Sequence, residues 1–329
     1  MGQSNCTESF PDRSCATPTE RYLAACGFIC LGSVGLAAYL VVLYILFYRG
    51  RGDPRLSNPF YTLLLSLGAC DVVILLTFVF YAAPSTIRNQ RPFGRVGDLL
   101  GGIVAEWTWA TSMVLMSLLC VNRYWAVCRF GTYETTFSQG RVWIAILFAF
   151  FIGFLRCAAF QLTGYCPVVY SVDFFFWVMA DNPFAHQGCF ALQLNESALV
   201  LFTATSIVVC YAAILRAVRR NQTRVSAMRG NGVPRTEGGV VMQEPSRAEA
   251  SAARQQQLEA RLAIQFLVIA LHLVLTTLGF TFLPALSFNH WNLYVATIVY
   301  INNSVINPVI YLSSNTTIRS HFLGLLGRK

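Results

Sequence analysis

Asn307-Pro308-Val309-Ile310-Tyr311 closes the last apolar run of this chain, and Asn122-Arg123-Tyr124 closes the third. The second run carries a lone carboxylate, Asp71, within Ser66-Leu67-Gly68-Ala69-Cys70-Asp71. An ionisable group in hydrocarbon is costly enough to mark a working site by default. These three features, each in a different apolar run, decide how the rest is read.

The 329 residues are 55% hydrophobic and only 12% charged. A soluble domain carries about 25% charge, so the composition points to an all-α membrane protein. Runs of spanning length, about 20 residues each, occur at Tyr22–Tyr48, Pro59–Ala83, Leu99–Val121, Val142–Gly164, Ala198–Leu215, Leu262–Phe288 and Asn292–Leu312. We number these segments 1 to 7. The fifth is the shortest and the last two lie close together, so hydropathy alone leaves six or eight open.

The first 21 residues are polar and contain Pro11 and Pro18, unlike a cleavable signal peptide. Segment 1 is therefore expected to act as a signal anchor. Orientation follows the basic residues. The 5–6 loop carries nine arginines, and Arg49, Arg51, Arg55, Arg129, Arg141, Arg319, Arg328 and Lys329 fall on the same side. The opposite side has Arg13, Arg21, Arg88, Arg91 and Arg95. The expectation is an extracellular tail over 1–21, a seven-helix domain over 22–329 and a cytoplasmic tail over 313–329. The +9 net charge is this positive-inside bias and calls for no nucleic acid.

On the outer side, the sequons at Asn5 and Asn195 are expected as glycan acceptors. Those at Asn221 and Asn315 fall inside and are expected to be silent. Of 11 cysteines, Cys26, Cys30, Cys70, Cys120, Cys157 and Cys210 lie within spans as small apolar packers. Cys128 is cytosolic and stays reduced. Cys6, Cys15, Cys166 and Cys189 face the oxidising side, where four allow three connectivities.

The one long soluble insertion, 218–260, reads as a flexible cytoplasmic loop around Gly230-Asn231-Gly232-Val233-Pro234 and Gly238-Gly239. From Ala248 onward its composition favours a helix running into segment 6. After Tyr311, Ile318 to Leu326 is a short amphipathic piece expected to lie on the inner membrane face.

The three motifs, each in its proper segment, resemble the rhodopsin-like (class A) G-protein-coupled receptors. The resemblance covers the whole chain. It implies a seven-helix receptor in the plasma membrane, with an outside N-terminus, an unknown extracellular ligand, a heterotrimeric G protein as partner and lipid around it. In that family the arginine at the position of Arg123 receives the G-protein tail when segment 6 swings out, and Tyr124 completes its motif. The acid that usually precedes it is Asn122 here, which removes one ion pair. Tyr211, in Cys210-Tyr211-Ala212-Ala213-Ile214, is similar to the family's active-state tyrosine, with Tyr311 as its partner. Asn307, Pro308 and Tyr311 belong to the same switch. Glu259, just before segment 6, matches the glutamate of the resting-state lock.

By the family register, Asp71, Ser112, Asn303, Ser304 and Asn307 surround a structural sodium ion. The plain alternative is a carboxyl group satisfied by amides and hydroxyls. No other cofactor is implied.

Several positions depart from the family. Asp98 stands where the cysteine of the usual loop-to-helix disulfide belongs, so that bond cannot form. Thr203 replaces a proline in segment 5, segment 6 has no Trp-x-Pro hinge, and segment 1 has no asparagine in its span. Over segments 2 to 5 the chain looks more like the nematode serpentine chemoreceptors, class X especially, through Gly164-Tyr165-Cys166, Tyr170, Trp177 and Cys189. That resemblance implies a bridge from Cys166 to Cys189 within one outer loop.

Glu106 lies 17 residues before Arg123, about 25 Å along the helix. Arg156 lies 15 residues after Arg141, about 22 Å by the same rise. Both charges reach a similar depth. Two readings fit: a ligand pocket with Glu106, Arg156 and the walls Trp107, Trp109 and Met113, or a private ion pair between segments 3 and 4. An aminergic aspartate would fall at Ala105, which opposes an amine bound in that manner. An opsin needs a lysine within segment 7, and the only lysine is Lys329.

The leading reading is thus a G-protein-coupled receptor of chemosensory type, not an enzyme, since no HExxH, GxSxG or intramembrane aspartate pair occurs. A small transporter or channel subunit is the alternative. It predicts polar residues lining several helices, whereas His272, Asp71 and Asn303 are nearly all there are. An insect-type odorant channel has a cytoplasmic N-terminus, which the arginines oppose.

Overall fold

The computed structural model describes residues 16–49, 52–53, 56–90, 93–179, 186–230, 267–279 and 289–327. Among them six helices are long and apolar enough to cross a membrane: Pro18–Tyr48, Pro59–Arg88, Val96–Cys128, Gln139–Leu162, Cys189–Arg220 and His290–Ser314. These are segments 1 to 5 and segment 7. The apolar helix Leu267–Gly279 is the described part of segment 6.

Segment 1 begins four residues earlier than its hydropathy suggests because of local capping chemistry. Thr17 and Glu20 form a reciprocal capping box and Pro18 occupies the first helical position. Segment 2 starts the same way, with Asn58 accepting the Phe60 N–H at 3.0 Å and Pro59 following it. Segment 4 shows why these helices are apolar all round. Val142, Ile146, Ala149, Gly153 and Arg156 recur on its buried face. Ile144, Leu147, Phe148, Phe151 and Leu155 point outward, where only lipid can receive them. Segment 3 is the hub, packed against segments 2, 4 and 5.

Both ends of segment 5 move from the expected Ala198–Leu215. The helix of segment 5 runs from His186 to Gly230, so 218–230 is helical where a loop was expected. After Gly188 no glycine or proline interrupts it until Gly230 itself. Glu259 and Asn5 lie outside the described residues.

The loop after segment 4 contains a feature the all-α expectation omits. Val168–Ser171 (β1) and Phe176–Met179 (β2) pair antiparallel, with Val168 opposite Met179. The disulfide Cys166–Cys189 ties this hairpin to the start of segment 5. Beyond segment 7, Asn315 caps the helix Thr316–Leu325 by accepting the N–H groups of Thr317 and Ile318, both at 3.1 Å. That oxygen also accepts the Tyr61 hydroxyl at 3.4 Å, which moors the last helix to segment 2.

Candidate functional site

The hairpin lies as a lid over the end of the bundle where segment 1 begins, in contact with segments 1, 2, 3 and 7. Its turn residue Phe175 is completely buried with a positive φ of 56°, a backbone region uncommon for a bulky side chain. It is held there by Thr297 of segment 7, whose hydroxyl donates to the Phe175 carbonyl at 2.7 Å, and by ring contacts with His290 and Tyr294. Asp173 of the turn pairs with Arg21 of segment 1 at 2.8 Å. On the other side, Trp177 stacks on Tyr81 and meets Tyr170 edge-on. Burial pushes the Tyr170 hydroxyl above the usual tyrosine range, and it sits 2.8 Å from the Thr86 hydroxyl. Gly102 permits the contact with segment 3: a Cβ there would lie 1.9 Å from the Val168 carbonyl oxygen.

Asp98, in the position of the missing cysteine, is buried and accepts the Tyr81 hydroxyl. It joins segments 2 and 3 beneath the hairpin by a polar contact.

Below the lid, Arg156 donates Nη1 to Glu106 Oε2 at 2.8 Å, Nη2 to Glu196 and Nε to Asn195 Oδ1 at 2.7 Å. The expected pair is therefore part of a triad with two carboxylates around one guanidinium, across segments 3, 4 and 5. Glu106 and Glu196 keep 19% and 29% of their side chains exposed, while Arg156 keeps 6%. Trp109 stands against Tyr300 of segment 7, with ring centroids 5.1 Å apart. Met113 is buried, and its carbonyl accepts the Thr203 hydroxyl at 3.4 Å. Trp107 needs correction as a pocket wall. Its indole N–H donates to the Phe150 carbonyl at 3.0 Å and its ring packs on Phe150 and Phe154, so it fills the seam between segments 3 and 4.

Midway along segment 2, Asp71 is buried and accepts three donors. Ser304 reaches Oδ1 at 2.9 Å, Asn307 Nδ2 reaches Oδ2 at 2.9 Å, and Tyr39 of segment 1 donates its hydroxyl to Oδ2. Asn303 is buried one residue away on the same helix as Ser304. Ser112 points at its own helix, donating to the Thr108 carbonyl at 2.8 Å.

At the end of the bundle opposite the hairpin, Arg123 is fully buried. Its guanidinium donates to Asn122 Oδ1 from Nη2 at 2.7 Å and from Nε at 3.2 Å, and lies 3.9 Å over the Phe60 ring. Asn122 thus replaces the missing acid with a neutral acceptor. Tyr124 packs edge-on against Trp125. Tyr211 is buried beside Cys120 and Arg123, whereas Tyr311 is buried toward Asp71 and Tyr39. No hydrogen bond joins the Tyr211 hydroxyl to Tyr311, so the expected partnership is not made in this conformation. Pro308 sits inside the segment 7 helix between the two regions.

A family model for the serpentine type 7TM GPCR chemoreceptor Srx matches residues 29–244, more than half of the chain. The chain belongs to the Srx family. It is also similar to G protein-coupled receptor 161 of Bos taurus, 25% identical over 224 residues, which cover 68% of this chain and 40% of that receptor. Similarity to relaxin-3 receptor 2 of Homo sapiens is 30% over 107 residues, or 32% of this chain and 28% of the relative. The chain therefore spans less than half the length of these relatives. Among solved structures, squid rhodopsin superposes with a TM-score of 0.79 at 15% identity, covering 95% of this chain and 87% of the other. That likeness is one of fold: this Srx-family chain has no lysine before Lys329.

Three functional residues escape the sequence reading. Tyr39 is the polar group that segment 1 supplies in place of an asparagine, and Glu196 hides within the Asn195 sequon. Tyr133, on the short helix Phe130–Thr136, carries the bond to Asn122 Nδ2 at 3.1 Å. Only the first had a visible signal, as a hydroxyl deep within segment 1.

Proposed function

We propose that this Srx-family G-protein-coupled receptor works in the plasma membrane as a chemoreceptor with its N-terminus outside. It detects a small extracellular ligand beneath the hairpin and passes the signal to a heterotrimeric G protein through Arg123. The observation that carries this reading is the complete burial of Arg123 at the inner end of segment 3, held by Asn122 and Phe60. A guanidinium that merely snorkels would reach headgroups and water. One sequestered on a neutral acceptor can be released at modest cost, which suits a switch. Glu259 is proposed as a further restraint, and Asn5 and Asn195 as glycan sites. Segment 3, with Glu106, Trp109 and Met113, and Arg156 of segment 4 form the ligand region.

A sodium ion at Asp71 is part of the same reading. Among the described residues, Asn303 Oδ1 and Asn307 Oδ1 are buried without a hydrogen-bond partner, and hard cations take oxygen ligands of this kind. Asp71, Ser112, Asn303, Ser304 and Asn307 would hold the ion, which supplies a balancing positive charge.

The test is a G-protein dissociation assay in cells, run across a broad odorant and peptide panel with Arg123→Ala as control. Protease access in intact cells tests the orientation. The proposal expects at least one responsive compound, no response from the variant, and cleavage within 218–260 only from the cytosolic side.

A further inference from the structure

The bond between Asn122 and Arg123 has a weakness that a carboxylate would not have. A carboxylate accepts through either oxygen, but a side-chain amide has one accepting end and one donating end of nearly equal size. Turned over, Asn122 would offer an NH2 group to a guanidinium that can only donate. Something must set its orientation.

A chain of hydrogen bonds does so. Asn58 Oδ1 accepts the Phe60 N–H at 3.0 Å, so its end of the chain is an acceptor. The Tyr133 hydroxyl, 2.9 Å from that oxygen, donates to it. Its lone pair is then left for the Asn122 Nδ2 group at 3.1 Å. Asn122 Oδ1 is thereby turned to the guanidinium, 2.7 Å from Nη2. The two ends, a backbone N–H and an arginine, both donate, so only this direction satisfies every member. Asn122 and Arg123 are fully buried, and Tyr133 is 8% exposed. An unpaired donor there would not be rescued by bulk water. The Asn58–Phe60 turn grips twice, since the Phe60 ring also lies beneath the guanidinium.

We propose that Tyr133 is a positioning residue for Arg123: it orients the Asn122 amide so that a neutral side chain can restrain the arginine. The proposal rests on the reading that Arg123 is the coupling arginine. It predicts that Tyr133 matters only while residue 122 is an amide.

The experiment measures ligand-independent nucleotide exchange by a Gα subunit fused to the full chain, at matched surface expression. Tyr133→Phe is expected to raise basal exchange about fivefold, the equivalent of one hydrogen bond of about 1 kcal/mol. Asn122→Asp should lower it below wild type, and adding Tyr133→Phe to Asn122→Asp should change it by less than about twofold. An equal rise in both backgrounds would mean that Tyr133 only stabilises its loop, and no rise in the single variant would remove it altogether; either overturns the proposal. A second readout needs no G protein. The distance between spin labels at Arg129 and at the inner end of segment 6 should shift outward with Tyr133→Phe, and not when Asn122→Asp is also present. If the wild type exchanges nothing with any Gα family, the coupling reading fails, while the label distances still decide the role of Tyr133.

Discussion

The Tyr39 hydroxyl of segment 1 donates to the Asp71 carboxylate of segment 2, at the point where Ser304 and Asn307 of segment 7 bond to the same group. Three helices therefore meet on one buried carboxyl group. A hydrogen bond to a charged group contributes about 1.5–3 kcal/mol. Tyr39→Phe should thus lower the thermal stability of the detergent-solubilised receptor, with surface expression retained. Unaltered melting would mean that the contact carries no weight.

Asp71→Ala and Asn307→Ala are each expected to reach the surface and to signal poorly. Because they share one network, the double variant should lose less than the sum, with a coupling of about 1 kcal/mol. Strictly additive losses in a dose–response series would separate the two residues.

The triad supplies a graded prediction. Glu196→Gln leaves Arg156 and Glu106 as a balanced pair and should fold well. Arg156→Met strands two carboxylates in the membrane, and breaking a buried pair costs about 3–5 kcal/mol. It should sharply reduce surface expression, with partial recovery when Glu196→Gln and Glu106→Gln are added. Surface labelling that ranks Glu196→Gln below Arg156→Met would contradict this.

The lid is tested at two places. Peptide mapping should recover Cys166 linked to Cys189, and removing the bond should cost roughly 3 kcal/mol for a loop of this length. Gly102→Ala should displace the hairpin, since its Cβ would meet the Val168 carbonyl at 1.9 Å. Unchanged ligand potency in Gly102→Ala would mean that the hairpin does not border the ligand site.

The helices were legible because a membrane span writes itself as length and apolarity; the start of segment 1 was not, because the Thr17 cap rather than apolarity sets it. Arg123, Asp71 and Asn307 stood out as polar groups at fixed places in hydrocarbon. The hairpin did not, because four-residue strands such as Val168–Ser171 carry too little periodicity to separate from a loop. Nor could spacing along segment 3 tell that Trp107 turns toward segment 4 while Trp109 turns toward segment 7. Side-chain direction there is set by the gap that Gly153 leaves for the indole. Tyr133 was hidden for a different reason: its importance lies in what Asn122 lacks.

The most direct measurement reconstitutes the full chain in lipid vesicles with purified heterotrimers from each Gα family and follows GTP-analogue uptake. Uptake above that of receptor-free vesicles with at least one heterotrimer, abolished by Arg123→Ala at equal receptor density, is the predicted result. No uptake with any heterotrimer, or uptake indifferent to Arg123→Ala, would contradict the claim that this buried arginine couples the bundle to a G protein.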